Sequence, residues 1–462
     1  MKSICGLLLI ALICLISIDF ASFTHYEPNW DSLDKRPLPE WYDDAKVGIF
    51  IHWGLFSVPA FGSEWFWWYW KGTEPRSDYI RFMDENFKPN FSYPEFAPSF
   101  TARHFDPDQW GQLFRDSGAK YVVLTSKHHE GFTLWPSSTS WNWNSMDVGP
   151  KRDLIGDLAA AVRGYNLTFG LYHSLFEWFN PLYVKDKENN FTTRYFPVAK
   201  TMPELTDLVL RYKPDVIWSD GEWDGPDSYW GSTKWIAWLY NESPVKDSVV
   251  INDRWARGTL CQHGGFLTCT DRYLPGHLMP RKWENAMTLD RNSWGYVSTS
   301  TLSDYVSFKE LVDLVAKTVS LGGNILINVG PTSEGIIAPI MQERLKQLGN
   351  WLSINGEAIY KTKPWVHQND SFAQNVYYTQ PKSDPDVVFA IFMDWPANDI
   401  LELGSVAGDP FFTKVYQITP DASYKTLDWA MKNEKMVIKT QLFSENLTAW
   451  VLKIERAIPL YF

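Results

Sequence analysis

Residues Asp215 to Asp224 read D-V-I-W-S-D-G-E-W-D, and the rest of the chain is best interpreted from this stretch. The apolar run 216–218 ends abruptly in Ser219, Asp220 and Gly221. A short buried strand has this pattern when it delivers one carboxylate to a rim and glycine then permits a sharp exit. The stretch makes Asp220 a candidate catalytic carboxylate, although it could instead only cap the next helix or accept hydrogen bonds in a turn.

A helix is predicted just before this strand. Thr201 and Glu204 have the spacing of a capping box, and Pro203 suits the first helical turn. One apolar face follows at helical spacing and contains Leu205, Leu208, Val209 and Tyr212. A helix, a strand and then an acid is the order found in α/β barrels, whose chemistry lies at the carboxyl ends of the strands.

The same order recurs along much of the chain. Apolar runs predict strands at 47–51, 121–125, 167–172, 216–218, 249–251 and 324–327. A polar or ionisable residue follows each run: His52, His128, His173, Asp220, Arg254 and Asn328. Helices are predicted at 106–117, 152–163, 307–321 and 339–352, the third from a capping box of Ser307 and Glu310. We therefore predict a (β/α)8-like TIM barrel as the catalytic domain, over residues 23–360.

A different pattern begins after Lys361. Short strands between turn residues are predicted at 375–379, 387–392, 400–403, 414–418, 436–439 and 449–454. They indicate a C-terminal antiparallel β-sandwich domain over residues 361–462. Because no low-complexity linker separates the two parts, we expect them to pack directly on one another.

The composition narrows the range of functions. The 462 residues include 25 Trp, 22 Tyr and 28 Phe, an unusual aromatic content, and many of these residues must be buried. Indole rings suit a site that stacks on flat apolar ligand faces, including the C–H faces of sugars. The net charge of −11 argues against nucleic-acid binding, which needs a basic surface.

The N-terminus and the sequons indicate the secretory pathway. Residues 1–22 have the pattern of a signal peptide, with Lys2 before an apolar run, 7–18, that is too short for a membrane span. No later stretch is long and apolar enough to cross a bilayer. Six Asn-x-Ser/Thr sequons favour a glycosylated lysosomal or extracellular protein: Asn90, Asn166, Asn190, Asn241, Asn369 and Asn446. In an oxidising compartment we expect a disulfide between Cys261 and Cys269, the two cysteines that remain after signal removal.

Carboxylates beside aromatic, His and Arg side chains in a secreted barrel suggest glycoside hydrolysis, which needs two carboxyl groups. Asp220 is the first, and the candidates for its partner are Glu64, Glu130, Glu177, Glu222, Asp271 and Glu284. The run His128-His129-Glu130, together with His52, could instead bind a metal. Adjacent residues of a strand point to opposite faces, so hydrogen bonding of these His side chains to sugar hydroxyls is the favoured interpretation.

Longer motifs connect these residues to a known family. They are Ile49-Phe50-Ile51-His52-Trp53-Gly54, Ser126-Lys127-His128-His129-Glu130-Gly131-Phe132, Ile217-Trp218-Ser219-Asp220-Gly221-Glu222-Trp223, Asn252-Asp253-Arg254-Trp255, Ser293-Trp294-Gly295-Tyr296 and Gly322-Gly323-Asn324. Together they resemble the α-L-fucosidases of glycoside hydrolase family 29. The resemblance runs from about residue 25 to the C-terminus.

The resemblance implies a retaining exo-hydrolase that removes terminal α-L-fucose from fucosylated glycans without a metal or other cofactor. Asp220 matches the family's nucleophile, which forms a covalent fucosyl-enzyme. The positions that match the family's sugar pocket are His52, Glu64, Trp65, His128, His129 and Arg254, with His173 and Trp294 as further wall residues. The resemblance also implies a homo-oligomer, such as a tetramer.

The acid/base residue is less strongly specified. Residues 275–284 resemble the family's active-site signature, which makes Glu284 the first choice. The signature ends in Cys, whereas this chain has Ala286 at that position, so a thiol has no role here. Asp271, two residues after the predicted Cys261–Cys269 bridge, is the alternative.

Two other functions fit the same fold. One is a fucose-binding protein without catalytic activity, and the other is a metal-dependent hydrolase. The presence of Asp220 and of both acid/base candidates favours the enzyme.

Overall fold

The structure is a computed structural model that describes residues 25–442 and 448–461. The predicted signal peptide and the sequon at Asn446 lie outside these residues. Seven parallel strands form one curved sheet in the order β5-β4-β3-β2-β1-β7-β6. They are β1 (Val47–Ile51), β2 (Tyr121–Lys127), β3 (Thr168–Ser174), β4 (Val216–Asp220), β5 (Val250–Ile251), β6 (Glu284–Thr288) and β7 (Asn324–Val329).

An irregular segment closes this sheet into a barrel between β5 and β6. The backbone amides of Gly265 and Phe266 donate to the carbonyl of Ile251. On the other side, Leu267 pairs in parallel with Trp283. The segment thus takes the place of an eighth strand, and the predicted (β/α)8-like barrel is confirmed.

Helices surround the barrel, as the alternating sequence pattern predicts. They are α1 (Trp30–Leu33), α2 (Glu40–Ala45), α3 (Phe66–Lys71), α4 (Ser77–Asn86), α5 (Pro107–Asp116), α6 (Leu154–Gly164), α7 (Pro181–Glu188), α8 (Met202–Tyr212), α9 (Asp227–Trp230), α10 (Ser232–Asn241), α11 (Phe308–Ser320) and α12 (Pro339–Asn355). The capping box predicted at Ser307 and Glu310 is present at the start of α11.

The capping box predicted at Thr201 is wrong. A π-helical turn, Pro197–Thr201, runs directly into α8, so Thr201 has helical backbone angles (φ −58°, ψ −49°) instead of extended ones. Its hydroxyl donates to the carbonyl of Leu175 at 2.8 Å. The carboxylate of Glu204 accepts instead from Lys127 Nζ at 2.9 Å, inside a buried ion cluster.

Aromatic rings fill the middle of the barrel. The cluster inside it includes Tyr42, Phe50, Tyr121, Tyr172, Trp218 and Phe266. Trp218 stacks on Tyr172 with the ring centres 5.8 Å apart, and Phe50 lies 5.2 Å from Trp218. Burying one such ring contributes roughly 1.5–3 kcal/mol relative to an exposed one. This packed layer is the floor on which the strand-end side chains stand.

The C-terminal part consists of antiparallel sheets. A six-stranded sheet has the order β14-β13-β17-β10-β9-β8, a second sheet has the order β11-β16-β15, and β12 pairs with β18. The strands are β8 (Thr362–Asn369), β9 (Val376–Pro381), β10 (Val387–Phe392), β11 (Ile400–Leu403), β12 (Val406–Ala407), β13 (Lys414–Ile418), β14 (Tyr424–Thr426), β15 (Trp429–Lys432), β16 (Lys435–Lys439), β17 (Trp450–Glu455) and β18 (Ile458–Pro459). All six strands predicted from the sequence are present.

This β-sandwich packs directly on the barrel, as predicted. The hydroxyl of Tyr377 donates to Asp313 of α11 at 2.9 Å, and Trp351 Nε1 of α12 donates to the carbonyl of Ala449 at 3.2 Å. Apolar residues of β10, including Phe389 and Ile391, belong to the same hydrophobic core as the barrel helices. The two parts therefore share buried surface.

Four of the predicted glycosylation sites are exposed: Asn90, Asn166, Asn190 and Asn369. Asn241 is different, because its side chain accepts from the Tyr26 amide and donates to the Tyr26 carbonyl, each at 2.9 Å. Glycosylation at the exposed sites stays a prediction, and Asn241 is the least suitable acceptor among the described sequons. Within the described part of the chain, no helix combines the length and the apolar character needed to cross a membrane.

Candidate active site

One pocket collects most of the residues that the sequence singled out. Its walls are Phe50, His52, Glu64, Trp65, His128, Tyr172, Trp218, Asp220, Trp223, Arg254, Asp271 and Trp294. The pocket lies at the carboxyl ends of β1 to β5, where a barrel of this kind places its chemistry. The predicted residues His52, Glu64, Trp65, His128, Asp220, Arg254, Asp271 and Trp294 are thus brought together.

Asp220 is the last residue of β4, and three side chains surround its carboxylate. Tyr172 donates its hydroxyl to Oδ2 at 2.8 Å, and Arg254 Nη1 donates to Oδ1 at 3.0 Å. His129 Nε2 lies 3.5 Å from Oδ2. Gly221 follows with φ +80°, and a Cβ there would lie 2.7 Å from the Phe176 ring, so glycine permits the sharp exit that the sequence predicts.

Burial determines the protonation of the two groups, Tyr172 and His129, that lie beside Asp220. Burial, together with the charge of Asp220, raises the pKa of Tyr172 well above its usual value. The hydroxyl therefore keeps its proton and donates a hydrogen bond to Asp220. Burial and the neighbouring His128 hold the pKa of His129 well below its usual value. The charge that balances Asp220 therefore comes from Arg254 and not from an imidazolium.

Hydrogen bonds to Asn328 and Ser174 fix the orientation of the His52 and His129 rings. His52 Nδ1 donates to Asn328 Oδ1 at 2.7 Å, which leaves Nε2 as an acceptor. Burial, with the nearby His128, lowers the pKa of His52 to about 3, so the ring is neutral. The Nδ1 of His129 lies 2.7 Å from Ser174 Oγ. Fixed neutral imidazoles of this kind suit hydrogen bonding to hydroxyl groups.

Glu64 connects two walls of the pocket. Its Oε2 accepts from the backbone amides of Trp294 at 2.9 Å and Gly295 at 3.3 Å, and from Ser293 Oγ at 3.2 Å. The segment that carries Trp65 is thereby tied to the segment that carries Trp294. These bonds hold two indole walls in a fixed relation.

Arg254 bridges two of the three carboxylates of the pocket, Asp220 and Asp271. While Nη1 donates to Asp220, Nη2 donates to Asp271 Oδ1 at 2.7 Å and Nε donates to Thr268 Oγ1 at 3.0 Å. Its guanidinium lies 4.6 Å from the Trp218 ring centre, within the range of a cation–π contact. Asp271 is half exposed, with 49% of its side-chain surface accessible, so its carboxylate can reach a ligand from the open side.

A disulfide and hydrogen bonds to Asp253 fix the start of the loop that carries Asp271. The predicted disulfide joins Cys261 and Cys269. The backbone amides of both cysteines donate to Asp253 Oδ2, at 2.8 and 3.1 Å, and Thr268 Oγ1 donates to Asp253 Oδ1 at 2.6 Å. This support fixes the start of the loop two residues before Asp271.

The structure places Glu284 away from the pocket. It is the first residue of β6 and is fully buried. Its Oε2 accepts from the hydroxyls of Tyr42 and Tyr121 at 2.7 and 2.6 Å, and its Oε1 accepts from Trp218 Nε1 at 3.0 Å. A carboxylate enclosed in this way has no access to a ligand in the pocket. The placement therefore contradicts the preference for Glu284 over Asp271.

His173 also lies outside the pocket, although it was expected in the wall. Its Nδ1 is 2.9 Å from Ser126 Oγ, and its Nε2 is 3.6 Å from Glu204 Oε2. It belongs to a buried ion cluster in which Lys127 Nζ bonds Glu177 at 3.0 Å and Glu204 at 2.9 Å. The side chain of His173 points away from the sugar pocket because its neighbour Tyr172 on β3 faces inward.

Sequence reasoning missed Tyr172 and Phe50 as pocket residues. Both lie inside strands, whereas the sequence pattern indicates only the residues that follow each strand. Period-two alternation could have found Tyr172, because it stands two residues before Ser174 and pairs in register with Trp218. Trp218 and Trp223 also line the pocket. Among the described residues, no group of three or more His, Cys, Asp or Glu side chains is arranged to hold a metal ion.

Two carboxylates and a ring of indoles at the carboxyl ends of a (β/α)8 barrel define a glycoside hydrolase site. The model of the alpha-L-fucosidase family matches residues 15–357, and that of the alpha-L-fucosidase C-terminal domain matches residues 368–455. The chain belongs to the α-L-fucosidase family.

Individual relatives agree with this assignment. The tissue alpha-L-fucosidase of Rattus norvegicus is 54% identical over 437 residues, covering 94% of this chain and 93% of the relative. The tissue alpha-L-fucosidase of Homo sapiens is 56% identical over 410 residues, covering 89% of this chain and 86% of the relative. The crystal structure of Thermotoga maritima alpha-fucosidase in complex with fucose has a TM-score of 0.78 and 33% identity, covering 93% of this chain and all of that one.

Proposed function

We propose that this protein is a retaining exo-α-L-fucosidase in which Asp220 is the nucleophile and Asp271 is the acid/base. The observation that carries the proposal is the bridge of Arg254, which places both carboxylates in one pocket. Retention requires the two carboxyl groups to lie ~5–5.5 Å apart, and side chains held by one guanidinium are close enough for that geometry.

The first half of the reaction breaks the glycosidic bond. Asp220 Oδ attacks the anomeric carbon of fucose, while Asp271 gives its proton to the glycosidic oxygen, which leaves with the rest of the glycan. Because the side chain of Asp271 is half exposed, it can reach the leaving oxygen from the open side of the pocket.

The second half releases fucose. A water molecule gives its proton to Asp271 and attacks the anomeric carbon, and the bond to Asp220 breaks. Tyr172 and Arg254 stabilise the departing carboxylate through the hydrogen bonds that they donate to it. Two inversions at the anomeric carbon give net retention.

The pocket walls suit fucose in both their polar and apolar parts. In this proposal the ring hydroxyls bind the imidazoles of His52, His128 and His129, together with Glu64 and Arg254. The methyl group of a 6-deoxy sugar needs an apolar patch, which Phe50 and the indoles of Trp65, Trp218, Trp223 and Trp294 provide. The crystal structure of Thermotoga maritima alpha-fucosidase in complex with fucose supports this choice of sugar.

The test uses an aryl α-L-fucoside and NMR of the first sugar formed. We expect α-L-fucose to appear before mutarotation and Asp220→Asn to abolish turnover. Asp116→Asn, on the exposed surface of α5, is the matched control and should keep full activity. Release of the β anomer would refute retention, full activity of Asp220→Asn would refute the nucleophile, and fucose binding without hydrolysis by the native protein would refute the enzyme.

The proposal extends to the protein's surroundings. The sequons and the expected leader place the enzyme in the secretory pathway, with the lysosome or the extracellular space as its destination. Relatives named tissue and plasma alpha-L-fucosidases support both destinations. We also propose residues 23–360 and 361–462 as the limits of the two domains, and a homo-oligomer as the assembled form.

A further inference from the structure

A second cavity opens directly beside the sugar pocket. It has a volume of about 480 Å³, and its walls include Trp65, Trp67, Trp68, Phe176, Trp178 and Trp223. Trp65 and Trp223 also line the sugar pocket, so these two indoles form a wall that both cavities share. We call the second cavity the tryptophan groove.

Two stacked pairs of indole rings line the tryptophan groove. Trp67 of α3 and Trp178, which follows β3, are nearly parallel at 19°, with ring centres 5.7 Å apart. Trp65 and Trp223 are also nearly parallel, at 21° and 6.1 Å. Trp223 has 39% of its surface exposed, an unusual fraction for an indole beside a folded core. The groove thus presents broad ring faces to any molecule that leaves the sugar pocket.

Charged and hydroxyl groups border these rings. Lys187 Nζ and the Tyr183 hydroxyl both bond Asp224 Oδ2, each at 2.6 Å. Lys71 and Glu188 lie at the same border. Apolar ring faces with polar groups at their edge match the surface of a pyranose, whose C–H faces are apolar and whose hydroxyls project around the ring.

We infer that the tryptophan groove binds the pyranose rings of the glycan to which fucose is attached. The inference rests on the proposed function, because the groove adjoins the pocket in which fucose is cleaved and shares Trp65 and Trp223 with it. A glycan that enters with its terminal fucose in the sugar pocket extends toward Trp65 and Trp223. The groove then selects substrates by the sugars that follow fucose, while the sugar pocket performs the reaction.

A lipid chain is the alternative occupant of an apolar groove. The paired indole faces and the charged border favour sugars, because an alkyl chain makes no use of Lys187, Asp224 or Glu188. The experiment therefore includes a substrate of each kind.

The test compares leaving groups of different size in Trp68→Ala. Trp68 lines the groove but not the sugar pocket. The substrates are α-L-fucosyl fluoride, whose leaving group is a single atom, a fucosylated trisaccharide, and octyl α-L-fucoside. We expect kcat/KM for the trisaccharide to fall about tenfold, from loss of one stacked ring, with the fluoride changed less than twofold. Trp68→Phe should restore most of the trisaccharide activity.

Lys187→Ala provides a second variant that leaves the indole packing intact. It should lower kcat/KM for the trisaccharide several-fold and leave the fluoride unchanged. Equal losses on fluoride and trisaccharide in both variants, or no loss on the trisaccharide, would overturn the inference, and so would a loss confined to octyl fucoside. If the native protein hydrolyses none of the fucosides, the proposed function itself fails, which is a different result from a groove variant that behaves like the native enzyme.

Discussion

Replacing Asp271 by Ala separates the two acid/base candidates most sharply. The change removes a half-exposed carboxylate from the pocket and leaves Arg254 bonded to Asp220, so we expect little loss of stability. Glu284→Gln is the paired variant, since it keeps the side-chain volume but removes the charge. It places an amide among the three donors that contact Glu284, and an unsatisfied buried donor costs about 1–3 kcal/mol of unfolding free energy.

The expected loss of activity depends on the leaving group. General acid catalysis contributes about 10²–10⁴ in rate, which is about 3–5 kcal/mol of the barrier. We expect Asp271→Ala to lose this much on an oligosaccharide, whose alkoxide leaves poorly without a proton. A dinitrophenyl fucoside needs no proton to leave, so its first step stays fast and the fucosyl-enzyme accumulates.

Azide gives the decisive assay. In Asp271→Ala, the space left by the carboxylate admits azide, which attacks the fucosyl-enzyme without needing a general base. We expect azide to accelerate turnover of the dinitrophenyl substrate and to yield α-L-fucosyl azide, identified by NMR. Glu284→Gln should show a lower unfolding midpoint and no azide product. An α-azide from folded Glu284→Gln, with none from Asp271→Ala, would refute the assignment of Asp271.

Three further predictions concern groups around the pocket. Although burial acts to raise it, two buried lysines hold the pKa of Glu204 well below its usual value, so its stabilising contribution is complete above pH ~4.3 and is lost as the pH falls below that. The free energy of unfolding, measured by urea titration, should therefore fall less between pH 5 and pH 3 (a range of about two units) in Glu204→Gln than in the native protein. An equal fall in the two proteins would contradict this. Tyr172→Phe removes a hydrogen bond to Asp220 as it departs in the second step, so we expect kcat to fall about tenfold or more and a burst of phenol to appear; a steady state without a burst would count against this role. The double variant Cys261→Ser/Cys269→Ser should lose roughly 2–3 kcal/mol of stability by urea titration, and equal midpoints would show that the bridge adds nothing.

Much of the fold could be predicted because hydrophobic runs and their ends are local signals. Strand β1 has the predicted limits, Val47–Ile51, whereas β4 begins at the predicted Val216 and extends two residues beyond the predicted Trp218, to Asp220. The eighth position of the barrel could not be predicted in the same way. There Gly265 and Phe266 bond β5, and Leu267 pairs with Trp283, so no extended apolar run marks the segment.

The start of α8 shows how a local pattern can be overridden. Thr201 and Glu204 have the correct spacing for a capping box, yet the preceding residues 197–201 already turn as a π-helix. The carboxylate of Glu204 then pairs with Lys127, which comes from β2, and with Lys200, which the π-helical turn itself supplies. Two buried cations at 2.9 and 3.2 Å stabilise a carboxylate more than one backbone amide at a helix end does.

Glu284 illustrates what strand direction decides. Glu284 pairs with Asn324, the first residue of β7, and Thr288 at the other end of β6 pairs with Asn328. Asn328 in turn accepts a hydrogen bond from His52 in the pocket. Glu284 therefore lies at the amino end of the barrel, four residues from the rim at which the chemistry takes place. The resemblance selected it by motif, and had β6 been recognised as a strand, the strand-end rule would have excluded it.

This position gives Glu284 a different role. Its carboxylate accepts from Trp218 Nε1 at 3.0 Å, and the ring of Trp218 forms part of the pocket floor beneath Arg254. Arg254 lies over the Trp218 ring and bonds both Asp220 and Asp271. A displacement of Trp218 therefore moves the guanidinium and, with it, both carboxylates. Substituting Glu284 should therefore lower activity through the placement of Arg254, with stability and activity falling together and azide restoring neither.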